Sequence, residues 1–184
     1  PLQVLAAMDD LYHQSYANVH RGVYTIAEET TAAYEAARAK VARFINASEA
    51  AEVVFVRNAT EAINLVAYTW ARQNLVSGDV VVVSEMEHHA NVVPWLMLAS
   101  ERGVELRWIP LTPDFRLDLT DLDALLRDAK LLAFTAMSNV LGTITDVSEL
   151  TRAGHAAGAH VLVDASQAAP HLPVDVRAWN ADFV

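Results

Sequence analysis

The chain has 184 residues, of which 53% are hydrophobic, no cysteine and a formal net charge of -10, which is enough for one substantial core and compatible with a single α/β domain. The acidic balance is spread over many segments, so it reads as solubility and argues against a nucleic-acid surface, which needs a basic stripe. Without cysteine there is no disulfide, thiolate metal site or cysteine nucleophile within these residues. No apolar stretch reaches membrane-spanning length, and the opening Pro1-Leu2-Gln3-Val4 lacks the regions of a signal peptide, so a cytoplasmic protein is expected.

In chain order, Pro1–Asn18 reads as a helix and Val19–Tyr24 as a loop carrying His20 and Arg21. Thr25-Ile26-Ala27-Glu28 has capping-box spacing and predicts a helix running from Glu29 to about Ile45. Strands are predicted at Val53–Arg57, Asp79–Ser84, Glu105–Ile109, Leu131–Met137 and His160–Asp164, with Asp182–Val184 beginning another. They are continuous β-branched or apolar runs, the pattern that burial on both faces of a parallel sheet requires. Each is separated from the next by room for a crossover helix. Thr120 with Asp123 gives a second helix start, for Leu122–Arg127, while Gly103 and Gly158 fall where helices should end in a left-handed residue. The abrupt ending at Asp182-Phe183-Val184 would leave a strand edge unpaired, so the chain is expected to be part of a longer one.

The residues with chemical potential follow strand ends, where open α/β sheets place ligands. Arg57-Asn58-Ala59-Thr60-Glu61-Ala62 joins a predicted strand to a helix through small and hydroxyl residues. Such a turn aims backbone N–H groups and a hydroxyl at an anion such as phosphate, although Asn58 or Thr60 could simply cap the helix. The glycines of a Walker loop or a dinucleotide fingerprint are absent. Next, Ser84-Glu85-Met86-Glu87-His88-His89-Ala90-Asn91 places His88 where an imidazole could stack on a flat ligand and carry protons. His89 reads as a surface residue, and a metal site at Glu85, Glu87, His88 and His89 is disfavoured because adjacent side chains diverge. Asn139, in Ser138-Asn139-Val140-Leu141-Gly142, could donate to a ring oxygen or a carboxylate, or belong to an ordinary turn that Gly142 permits.

Asp164, at the end of the apolar run His160–Val163, carries the most information. Burying a carboxylate costs several kcal/mol, roughly, unless something pairs with it. A protonated pyridine nitrogen is one such partner, and a helix-capping role is the alternative. Gln167 could then reach the phenolic oxygen of the same ring, which points to pyridoxal phosphate.

Taken together, five segments resemble the class V aminotransferase-like enzymes of pyridoxal phosphate fold type I, within them the cysteine desulfurases and selenocysteine lyases. They are Asn18–Gly22, Val54–Val66, Glu87–Trp95, Ser138–Gly142 and Val163–Ala168, and His88-His89-Ala90-Asn91-Val92-Val93-Pro94-Trp95 is the most specific. The resemblance implies a three-layer α/β/α large domain with a mainly parallel sheet, spanning residues 25–184 in partial form behind an N-terminal helix and loop at 1–24. It implies that Thr60 and the backbone of Ala59 hold the cofactor phosphate, and that His88 stacks on the ring and is catalytic. Asn139 would contact the ring oxygen or substrate, Asp164 the ring nitrogen and Gln167 the phenolic oxygen.

The implied activity of the parent protein is conversion of L-cysteine to alanine with the sulfur left as an enzyme persulfide, or the selenocysteine equivalent. An implied homodimer would pass sulfur to an acceptor protein for iron–sulfur cluster assembly. The family's cofactor-anchoring lysine and nucleophilic cysteine would lie after Val184, so the isolated chain should not turn over. Lys40 and Lys130 read as solvated and do not substitute. Other class V chemistries (an epimerase, aminotransferase or kynureninase-like enzyme) and a non-catalytic α/β binding module remain alternatives.

Overall fold

The computed structural model describes residues 1–184. Its helices are α1 (Leu2–Asp10), α2 (Thr25–Phe44), α3 (Ala59–Val66), α4 (Arg72–Asn74), α5 (Val93–Arg102), α6 (Leu122–Leu125), α7 (Val147–Ala156) and α8 (Val176–Trp179). The strands are β1 (Val80–Ser84), β2 (Glu105–Ile109), β3 (Ala129–Thr135) and β4 (His160–Asp164). The chain divides into two compact units, residues 1–55 and 56–184.

In the first unit, α1 continues as a wider π-helical turn over Leu11–Ser15, and neither segment contains a buried residue. Helix α2 starts four residues earlier than its alanine-rich run predicts, and the capping box is not formed. Thr25 is already inside the helix, and the backbone carbonyl of Tyr24 accepts the first bonds, from Ala27 N–H at 2.9 Å and Glu28 N–H at 3.2 Å. The hydroxyls that matter sit one turn on: Thr31 bonds the Ala27 carbonyl at 2.7 Å and accepts the His20 N–H at 3.0 Å, tying down the predicted loop.

The predicted strand Val53–Arg57 is not a strand. Val53 is buried, but Val54, Phe55 and Val56 are exposed and no chain segment offers them a ladder. The Val53 carbonyl is instead taken by the Arg38 guanidinium, which lies 5.1 Å from the Tyr34 ring centre and 5.2 Å from that of Phe55. β-Branched composition marks a segment able to pair, and pairing still needs a neighbour.

The second unit is a parallel sheet in the order β2-β1-β3-β4. One face of it, with Val81, Val83, Leu131, Ala133 and Leu162, packs into a core with Ile63, Leu75, Trp95 and Leu98. The alternate residues Leu132 and Val161 meet α7, whose Gly154 lies so close that an added Cβ would stand 2.8 Å from Val161 and 3.2 Å from Leu132. The sheet is therefore sandwiched between helical layers, as the largely buried strands β1, β3 and β4 require, while the edge strand β2, with Glu105 and Arg107, departs from the expected continuous apolar run. Gly103 (φ +72) and Gly158 (φ +83) close α5 and α7 in the predicted left-handed conformation.

Two strand boundaries differ from prediction. Strand β3 starts at Ala129 and stops at Thr135, because Met137 pairs antiparallel with Ile144 in a hairpin. The Asp182–Val184 segment makes only one parallel bridge, Phe183 to Leu162, at the β4 edge. Helix α6 is also shorter than predicted and lacks a side-chain cap, since Thr120 N–H bonds the Asp118 carboxylate and Asp121 occupies the cap position. No helix is long and apolar enough to cross a membrane.

Candidate functional site

Strand order fixes where a site can form. The chain moves from β1 to β2 on one side and then returns to place β3 on the other side of β1, so the carboxyl ends of β1 and β3 part and leave a crevice. A cavity of about 300 Å³ occupies that edge, lined by Asn58, Ala59, Thr60, His88, Ala90, Thr135, Met137, Asn139, Asp164, Ser166 and Gln167. All six residues singled out in the sequence, Ala59, Thr60, His88, Asn139, Asp164 and Gln167, line it. The size is at the low end for a small-molecule site, roughly 300–1,000 Å³. A second cavity of about 160 Å³, around Arg116 and Asp146, contains none of them.

Each wall has a local cause. Asn58 caps α3, its side-chain oxygen accepting from Glu61 N–H at 2.9 Å. The capping alternative therefore holds for Asn58, while Ala59 and Thr60, in the first turn, sit on the cavity wall where the helix dipole is positive. Glu61 turns away to Arg57, accepting its backbone N–H at 2.7 Å and its Nη2 at 3.0 Å. That guanidinium contact holds the exposed Glu61 carboxyl below its ordinary range.

His88 follows β1 as the cap of a short 3₁₀ turn, and its Nδ1 accepts the Ala90 N–H at 3.1 Å. The bond leaves the other ring nitrogen to carry the proton in the neutral state. His89, also exposed, stands edge-on with ring centres 6.0 Å apart. Asn139 rides in the hairpin after β3, where Ser138 Oγ accepts from Val140 and Leu141 N–H at 3.3 and 3.1 Å and Gly142 takes φ +70. It lies in that turn, beyond the end of β3 at Thr135.

Asp164 is 7% exposed at the end of β4. Its Oδ1 accepts Ser166 N–H at 2.9 Å, a turn-forming contact of the capping kind. No second protein donor reaches the carboxylate, so one oxygen remains for a cavity ligand. Gln167 sits in the irregular turns after β4 and not on a regular helix. Lys40 and Lys130 are exposed, as expected.

Glu87, which the sequence offers only within a disfavoured metal cluster, is a hydrogen-bonding centre beside the site. Its Oε1 accepts the Thr135 N–H at 2.7 Å and contacts the Ser84 hydroxyl, and its Oε2 accepts from Asn91 Nδ2 at 2.7 Å. Asn91, fully buried, accepts the Trp95 indole N–H at 3.0 Å. Burial pushes the Glu87 carboxyl up to about 7 against its three hydrogen bonds, with a smaller push from the Asp164 charge. The spacing Glu87, Asn91, Trp95 (i, i+4, i+8) was visible as one face of a helical path, and that was the available signal.

The aminotransferase class-V family matches residues 1–184. A cysteine desulfurase of Dickeya dadantii is 52% identical over the whole chain, which covers 45% of that protein. Among solved structures, the cysteine desulfurase of Thermococcus onnurineus is 40% identical with a TM-score of 0.94, over 99% of this chain and 45% of that one. The cysteine desulfurase CsdA of Escherichia coli is 41% identical with a TM-score of 0.88, over 99% and 46%. The chain thus spans a little under half the length of these relatives.

Proposed function

Because the chain belongs to the aminotransferase class-V family, we propose that it carries the pyridoxal-phosphate-binding part of a cysteine desulfurase, which acts on L-cysteine. The observation that carries this is the meeting of a nearly buried, half-satisfied carboxylate, an exposed imidazole and a helix start around one cavity. These groups fit the cofactor: Asp164 suits a protonated ring nitrogen, the first turn of α3 with Thr60 suits a phosphate, and His88 offers a flat face. When bound, pyridoxal phosphate supplies an electron sink.

The chain's own residues then have distinct work. The Asp164 carboxylate keeps the ring nitrogen protonated, because removing that proton would leave a nearly buried charge unpaired. Ala59 N–H and the Thr60 hydroxyl orient the cofactor by its phosphate. His88, whose Nδ1 accepts the Ala90 N–H, presents Nε2–H to the cavity as a donor, and takes up a further proton only where Nδ1 gives up the Ala90 bond. Asn139 and Gln167 are amide donors for the ring oxygen or the substrate. The desulfurase names of the matched relatives support cysteine as substrate. A cytoplasmic homodimer handing sulfur to an acceptor protein for iron–sulfur cluster assembly belongs to the same proposal, and the exposed apolar residues Leu5 and Met8 on α1 and Tyr12 in the turn that continues it support a partner face.

The test replaces the matching segment of the Dickeya dadantii enzyme with these 184 residues. The chimera should release alanine from cysteine, sediment as a dimer, and lose at least a hundredfold in turnover with Asp164→Ala. A folded chimera that binds the cofactor without releasing alanine, or that tolerates Asp164→Ala, would refute the proposal; activity on another amino acid alone would move it to another class V chemistry.

A further inference from the structure

Glu87 lies at the one place in the sheet where two neighbouring strands stop in different positions. β1 ends at Ser84 while β3 continues to Thr135, whose N–H has no β1 carbonyl to use and would otherwise face the crevice unpaired. Glu87 Oε1 accepts that N–H at 2.7 Å and contacts the Ser84 hydroxyl, so one carboxyl group bridges both strand ends. Its other oxygen holds Asn91.

The Asn91 side chain has a fixed orientation. Its Oδ1 is used by the Trp95 indole, so its Nδ2 must point at Glu87, which must accept there. The Asn91 backbone N–H in turn bonds the His88 carbonyl at 2.8 Å, and the Ala90 N–H bonds the His88 ring. Hydrogen bonds therefore tie the ends of β1 and β3, through Glu87, to the Asn91 side chain, and Asn91 belongs to the turn whose Asn91 and Ala90 N–H groups bond the His88 carbonyl and imidazole.

We propose that Glu87 is a positioning residue of the site: it fixes the turn that carries His88 against the strand ends that frame the cavity. The inference depends on the proposed function only for what His88 faces. Glutamine cannot take over this role. With its oxygen toward Thr135 its NH₂ meets the NH₂ of Asn91, and the flipped amide meets the Thr135 N–H, so either orientation sets donor against donor. A role in filling space alone would accept glutamine.

The experiment uses the 184-residue chain without cofactor, so its outcome is separate from that of the chimera. In Glu87→Gln, amide hydrogen exchange at Ala90, Asn91 and Thr135 should accelerate at least tenfold while Val82 and Leu132 stay unchanged. The Trp95 indole resonance should also move with a midpoint near 7 in the wild type and lose that step in Glu87→Gln. Asp164 is the charged group facing Glu87 from β4, and the three hydrogen-bond partners of Glu87 are neutral. Should Glu87→Gln fail to fold, Ser84→Ala removes one of the three contacts and should give a smaller acceleration, at least twofold, at the same amides. Unchanged exchange at those amides, or a Trp95 step that survives in Glu87→Gln, would overturn the proposal.

Discussion

Glu87 also affects stability through its proton. Its folded value of about 7 lies above the ordinary 4.5, so between these pH values the folded chain holds a proton that the unfolded chain has released. Stability from this group is fully present below about pH 4.5, is lost as pH rises toward 7, and changes no further above it; the loss is on the order of 3 kcal/mol. Denaturant unfolding of the wild type across that window should show this fall relative to Glu87→Gln, whose curve lacks it. Parallel curves would place the carboxyl back in solvent. Asp164 shows the opposite kind of legibility. Its position after an unbroken apolar strand was enough to mark it, whereas Glu87 was hidden because its partners come from Ser84, Asn91 and Thr135, the last of them 48 residues away.

Among the elements, the edge strand β2 is only partly buried and carries Glu105 and Arg107 between its apolar residues, whereas β1, β3 and β4 could be read from the sequence because burial on both faces leaves little room for polar residues. Val53–Arg57 has the same composition and no ladder, since single-chain composition reports the capacity to pair and not the presence of a neighbour. The capping boxes failed for a related reason: Thr25 and Thr120 had the right spacing, but backbone groups and Asp118 filled the roles first. The closeness of α7 to the sheet was invisible, because Gly154 inside a helical run looks only like a weak helix former. Gly154→Ala should lower stability by about 1–3 kcal/mol, since the new methyl would press on Val161 and Leu132. A gain in melting temperature from this substitution would show that α7 sits farther from β3 and β4.

At the scale of the molecule, the parallel order β2-β1-β3-β4 matters more than any single motif, because it brings residues from four separate segments to one crevice. The sequence identified those segments one by one, and the resemblance tied them together; only the sheet order explains why they meet. The measurement that tests this most directly is equilibrium binding of pyridoxal 5′-phosphate to the chimera that carries these 184 residues. Asp164→Ala and Thr60→Ala should each weaken binding tenfold or more, consistent with about 1.5–3 kcal/mol for a hydrogen bond to a charged group, while a substitution at exposed Lys40 should leave it unchanged. Equal affinity in all four proteins would mean that the cavity framed by Asp164, Thr60 and His88 does not hold the cofactor.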